Sequence, residues 1–140
     1  MNWVPFAILA AVFAALTAIF AKAGIRDINS DLAVAIRTTV ILVFAWAIAY
    51  ARGGTQAMAT VPQRAWIFLI LSGIATGLSW LFYFKALQLG PASKVAPVDK
   101  LSVALTILLA FIFLSEKPTL GSILGGSLVA AGVLVVALVP

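Results

Sequence analysis

The sequence predicts an all-α membrane protein with five transmembrane helices, and three observations lead there. Of its 140 residues, 64% are hydrophobic and only 9% charged, with a mean hydropathy of +1.20. A soluble domain carries about 25% charged and roughly 45–50% apolar residues, and a small fold leaves too much area wet to hide the excess. The apolar residues also fall into runs near the ~20 residues that a spanning helix requires, parted by short polar breaks. A water-soluble enzyme or binding module is thereby excluded. Residues 1–140 read as a single transmembrane domain.

The first span covers about 3–21, from Trp3 to the Ala21-Lys22-Ala23 tail. A cleaved signal peptide needs a basic leader and an apolar stretch of roughly 7–15 residues. Met1-Asn2 supplies no basic side chain and the stretch is longer, so the span is expected to be retained. Asn29-Ser30-Asp31 then offers side-chain acceptors to the free N–H groups of a second helix over about 32–50. Arg52-Gly53-Gly54 and Pro62-Gln63-Arg64 bound a polar loop. The third span covers about 66–87, until Gly90-Pro91 breaks it, since proline cannot continue a helix. The fourth begins at Val95 or Pro97 and runs over about 97–114. Ser115-Glu116-Lys117-Pro118 is a tight connection, with Pro118 suited to the first turn of the fifth span, about 119–139. Trp3, Trp46, Tyr50, Trp66 and Tyr83 lie towards span ends, where amphipathic rings favour the interface.

Nine Lys and Arg against four Asp and Glu give +5. The basic residues are spread through the loops without a run, which fits anchoring at anionic headgroups and not nucleic acid. An odd number of spans puts the termini on opposite sides. Arg52, Arg64 and Lys117 fall on one face, and Lys22, Arg26, Lys85 and Lys94 on the other. This near-tie tilts weakly towards an outside N-terminus when Arg37 and Lys100 are counted, and it permits insertion in both directions. Cys and His are both absent from the sequence, so thiolate chemistry, disulfides and imidazole general bases are excluded. No metal site, cofactor or enzymatic activity is expected.

Small residues recur every four positions: Ala7-Ala11-Ala15 and Ala10-Ala14-Ala18, Gly73-Gly77, Gly121-Gly125, and Ser122-Gly126-Ala130. Such stripes let helices approach closely in lipid, either within one bundle or, for the fifth span, between subunits. Polar residues inside spans are more informative, because a central charge costs ~2.5–3.5 kcal/mol or more. Arg37 lies about 9 Å beyond Asp31 along the second span. Ser72, Thr76, Ser79 and Tyr83 share a face of the third, beside Trp80. Asp99, Ser102 and Thr106 share a face of the fourth, with Lys100 adjacent. Two readings stand for each. Arg37, Lys85 and Lys100 either snorkel to headgroups or, for Arg37 and Lys100, face a solute. Asp99 either pairs with a nearby cation for stability or serves the same solute. The hydroxyls either bond backbone carbonyls or line a wet cavity. Pro97 can bend its helix and expose backbone groups, a device that transporters use.

Phe82-Tyr83-Phe84-Lys85-Ala86-Leu87-Gln88-Leu89-Gly90-Pro91-Ala92, then Val95-Ala96-Pro97-Val98-Asp99-Lys100-Leu101-Ser102, resembles the EamA-type drug/metabolite transporter (DMT) superfamily. So does Phe113-Leu114-Ser115-Glu116-Lys117-Pro118 leading into Gly125-Gly126-Ser127-Leu128-Val129-Ala130-Ala131-Gly132-Val133. The resemblance implies one five-helix half of an inverted-repeat transporter whose full-length members have two halves of opposite topology. It therefore implies a homodimer, most simply antiparallel, in the plasma (inner) membrane, moving a small polar metabolite or drug-like solute by alternating access. Small multidrug exporters of the superfamily rely on a glutamate in their first helix. The first span here has no acidic residue, which leaves Asp99 as the acidic candidate inside a span. The expected solute-binding residues are Arg37, Trp80, Tyr83, Asp99, Lys100 and Ser102. Arg37 and Lys100 would attract an anionic group, Trp80 and Tyr83 would stack or hydrogen-bond, and Asp99 would pair with a cation or take a proton. Two other expectations stand beside this one: a lipid-linked sugar flippase subunit, and a non-transporting membrane subunit. Assays of lipid-linked sugars against water-soluble metabolites separate the first. A stable lone dimer with a substrate-dependent thermal shift argues against the second.

Overall fold

The computed structural model describes residues 2–139, and is helical throughout apart from its connections. The helices are α1 (Val4–Gly24), α2 (Ser30–Ala51), α3 (Gln63–Leu89), α4 (Ala92–Asp99), α5 (Leu101–Leu114) and α6 (Leu120–Leu138), with a short 3₁₀ helix, Gly54–Thr60, between α2 and α3. Among the described residues, five segments are long and apolar enough to span a bilayer, α4 and α5 together forming the fourth, Ala92–Leu114. Large apolar side chains stand bare along them, among them Phe44, Leu69 and Phe82 at 66%, 64% and 75% exposure. Water would not tolerate so continuous an apolar surface, whereas lipid tails cover it freely. The chain is an integral membrane protein.

The chain divides into two compact units, Phe20–Leu89 and a second built from Met1–Ile19 with Gly90–Pro140; Met1 and Pro140 themselves lie outside the described residues. In the first unit α2 packs on α3. Its buried side chains, Ile25, Ala33, Val34, Phe84 and Leu87, gather at the end where α2 starts and α3 finishes. That end is also tied by polar contacts. The Asn29 side chain accepts from the N–H groups of Asp31 at 2.7 Å and Leu32 at 3.4 Å, capping α2. Lys22 donates its ammonium to the Leu87 carbonyl, and Gln88 donates to the Ile28 carbonyl at 2.7 Å. The last carbonyls of a helix have no partner within it, and a cation there also meets the negative end of the dipole. Asn29→Ala should therefore lower stability by ~1 kcal/mol, read as a lower thermal midpoint in detergent, while Asn29→Asp should restore it.

In the second unit α6 packs on α5 and on α4. Ser115 ends α5 in the left-handed conformation, φ 54°, and the Glu116 N–H closes back on the Ala110 carbonyl at 3.3 Å. The start of α6 differs from the expected one. Thr119, not Pro118, sets it: the Thr119 hydroxyl accepts from the Ser122 N–H at 3.1 Å while the Ser122 hydroxyl accepts from the Thr119 N–H at 2.9 Å. This reciprocal box satisfies two otherwise unpaired N–H groups, which a proline in the first turn would not. At the far end of α6, Lys94 donates to the Val139 carbonyl at 3.2 Å. The lysines counted as headgroup anchors thus include two, Lys22 and Lys94, that close helix ends.

The glycine stripes of α6 separate by face. Gly126 is buried, and a Cβ built on it would lie 2.8 Å from Ile107 Cδ1 of α5. Ser122, Gly126 and Ala130 also line a cavity of about 300 Å³ with Ala104, Ile107 and Phe111. This stripe packs inside the α5–α6 hairpin. Gly125 and Gly132 meet nothing within 4 Å, so their face is open.

Candidate functional site

The residues singled out from the sequence fall in both units. In the first, Arg37 stands two turns inside α2, about 10 Å from its start at 1.5 Å per residue. Its guanidinium carbon lies 4.4 Å from the centroid of the Trp80 ring and 5.5 Å from that of Phe84. Phe84 is not among the residues that the sequence singled out; it stands four residues from Trp80 on α3, hence on one face, and that spacing is the signal that points to it. It is buried at the α2–α3 contact, so its ring is held in place. Tyr83 meets it edge-on, with centroids 6.3 Å apart and planes at 63°. A cation over aromatic faces gains ~0.5–2 kcal/mol, less than the ~2.5–3.5 kcal/mol that an arginine costs deep in a span. The rings offset part of the cost of this charge.

The hydroxyl stripe of α3 is partly self-satisfied. Thr76 donates to the Ser72 carbonyl at 2.8 Å, as Thr38 and Thr39 do to Val34 and Ala35 on α2.

The second unit holds Asp99, Lys100 and Ser102 at an interruption of the fourth span. Pro97 lies inside α4 and has no N–H to give to the Ser93 carbonyl. Two residues later the helix tightens: the Lys100 N–H bonds the Pro97 carbonyl at 2.9 Å, and the Val103 N–H bonds the Lys100 carbonyl at 2.9 Å. Both are three-residue closures, the 3₁₀ pattern that marks strained or hinged positions within helices. α4 ends at Asp99 and α5 starts at Leu101, so the interruption comes about 12 Å into a span of about 35 Å. At it, Lys100 Nζ lies 3.1 Å from Asp99 Oδ2, with the side chains 53% and 35% exposed. Ser102 is exposed in the next turn. The pair joins neighbours in sequence and bridges no two helices.

Arg37 and Trp80 are thus in contact with Tyr83 one ring further, and Asp99, Lys100 and Ser102 cluster at the α4–α5 break. Among the described residues no group of three Asp or Glu is placed to hold a metal ion. A helical membrane chain with charges at a broken span matches a known group: the EamA-like transporter family covers residues 1–138. The chain belongs to that family. An "Uncharacterized transporter in cobO 3'region" from Sinorhizobium sp. is 52% identical over 136 residues, which is 97% of this chain and 96% of that protein. An uncharacterized protein from Methanocaldococcus jannaschii is 29% identical over 76 residues, 54% of this chain and 56% of its own. No solved structure matches the chain. In this EamA-like transporter, the motif from Phe82 to Ser102 carries two of the three ring residues of the first unit, Tyr83 and Phe84, and the whole charged break of the second.

Proposed function

We infer that this EamA-like chain carries a small polar metabolite or drug-like solute across the plasma (inner) membrane by alternating access, as a homodimer whose two copies are most simply antiparallel. It performs no covalent chemistry. The observation that carries this reading is the interrupted fourth span with Asp99 and Lys100 at the break. Unwound backbone and a charge pair inside a span are expensive in lipid, and a wetted solute site is where such features are tolerated. Arg37, Trp80 and Tyr83 supply a second polar contribution, and Ser102 adds a hydroxyl beside the break. One feature favours pairing: the loop charges are nearly balanced between the two faces, as insertion of copies in both directions requires.

Reconstitution at graded density tests this. The full chain is placed in liposomes from on the order of one copy per vesicle upward, and uptake of labelled alanine, benzoate and spermidine is followed. Uptake of at least one of them should appear only as vesicles come to hold two copies, rising with the square of density in the sparse regime. Undiminished flux per copy in singly occupied vesicles would remove the homodimer. Absence of flux at every density, for probes of all three charge types, would remove transport.

A further inference from the structure

Arg37 has no carboxylate partner among the described residues of the first unit. Its guanidinium lies over the faces of Trp80 and Phe84 and interacts electrostatically with Tyr83. A ring face attracts the cation but accepts none of its N–H bonds in the manner of an oxygen, so the planar fork of five donors stays available. In the other unit Asp99 already has a cation, Lys100, at 3.1 Å. Arg37 is half-buried, two turns inside α2, a helix long and apolar enough to cross a bilayer, where a low dielectric strengthens any charge pairing. Phe84, itself 3% exposed, and the i, i+4 placement of Trp80 fix the cation in position. A preorganised arginine fork of this kind fits the two oxygens of a carboxylate or phosphate side by side.

The geometry points to Arg37 as an oxyanion-recognition residue, seated on Trp80 and Phe84, that takes the carboxylate or phosphate group of the transported solute. The identification of that group as part of a solute rests on the transporter reading above, whereas the recognition of an oxyanion does not. The same chemistry is offered by a phospholipid headgroup, and the two sources are separable.

The test uses the full chain reconstituted in phosphatidylcholine liposomes, with benzoate, inorganic phosphate and, as the uncharged counterpart, benzamide. Benzoate or phosphate should raise the thermal midpoint in a saturable manner and benzamide should not. Arg37→Gln should weaken the response at least about tenfold. Arg37→Lys, which keeps the charge but loses the fork, should weaken it by roughly three- to tenfold. Trp80→Leu should weaken it too, and keeps the test decisive if Arg37→Gln fails to fold. A second series adds phosphatidylglycerol. If that lipid raises the midpoint through Arg37 and abolishes the benzoate response, the oxyanion site stands with a headgroup as its ligand. If benzoate still acts, the ligand is a free solute. Equal responses to benzoate and benzamide, or an unchanged response in Arg37→Gln and Trp80→Leu alike, overturn the assignment. Flux of neutral alanine without any oxyanion response leaves transport standing and removes this site. Arg37-dependent binding without flux does the reverse.

Discussion

Asp99→Asn should reduce solute uptake by proteoliposomes at least about tenfold, the factor that ~1.4 kcal/mol of lost stabilisation produces. The substitution preserves shape and removes one charge, leaving the Lys100 ammonium alone at the break of the fourth span. An unpaired charge at the centre of a span costs ~2.5–3.5 kcal/mol; for Lys100, whose side chain is 53% exposed, the penalty is smaller. Stability should therefore fall modestly. The double variant Asp99→Asn with Lys100→Met separates the two readings that the sequence left open. If the pair serves only stability, removing both charges restores the thermal midpoint and uptake together. If the pair belongs to the solute site, the midpoint recovers and uptake stays low. The second outcome is the expected one, because the two residues are sequence neighbours on either side of a helix break and hold no two elements together. Recovery of uptake in the double variant would withdraw Asp99 and Lys100 from the site.

Gly126→Leu should have the largest effect on the fold. A single Cβ at this position already comes within 2.8 Å of Ile107 Cδ1, a methyl at the end of a flexible side chain that can turn aside. Alanine is therefore tolerated at small cost. Leucine adds three further carbons between α5 and α6, and overpacking of that kind costs ~1–3 kcal/mol, seen as a thermal midpoint several degrees lower in detergent. Gly125→Leu, one residue earlier, meets nothing within 4 Å and should leave the midpoint of the isolated chain within about 0.5 kcal/mol of the parent. Equal loss in both variants would show that α6 packs on α5 by a different face. Gly125→Leu also reports on the pairing of copies. If the open glycine face meets a second chain, this variant should dissociate the dimer in size-exclusion chromatography while the helices remain folded.

Hydropathy and breaker residues determined the class of this protein and the order of its spans, because a bilayer enforces helices about 20 residues long and Gly90-Pro91 and Ser115-Glu116-Lys117-Pro118 end them wherever the lipid stops. The Asn29 cap was legible for the same local reason: a side-chain acceptor three residues from an apolar run. The motif from Phe82 to Ser102 was enough to point to the family. Tertiary structure decided what periodicity leaves degenerate. Which glycine stripe of α6 faces α5 depends on helix rotation, and both stripes have the same spacing. Whether Arg37 reaches for a headgroup or rests on Trp80 and Phe84 depends on which face α3 turns to α2, and a helix that is apolar apart from one hydroxyl stripe does not state this. The break at Lys100, three residues past Pro97, follows from backbone hydrogen bonds that tighten after the missing donor, and only the folded chain shows where they close.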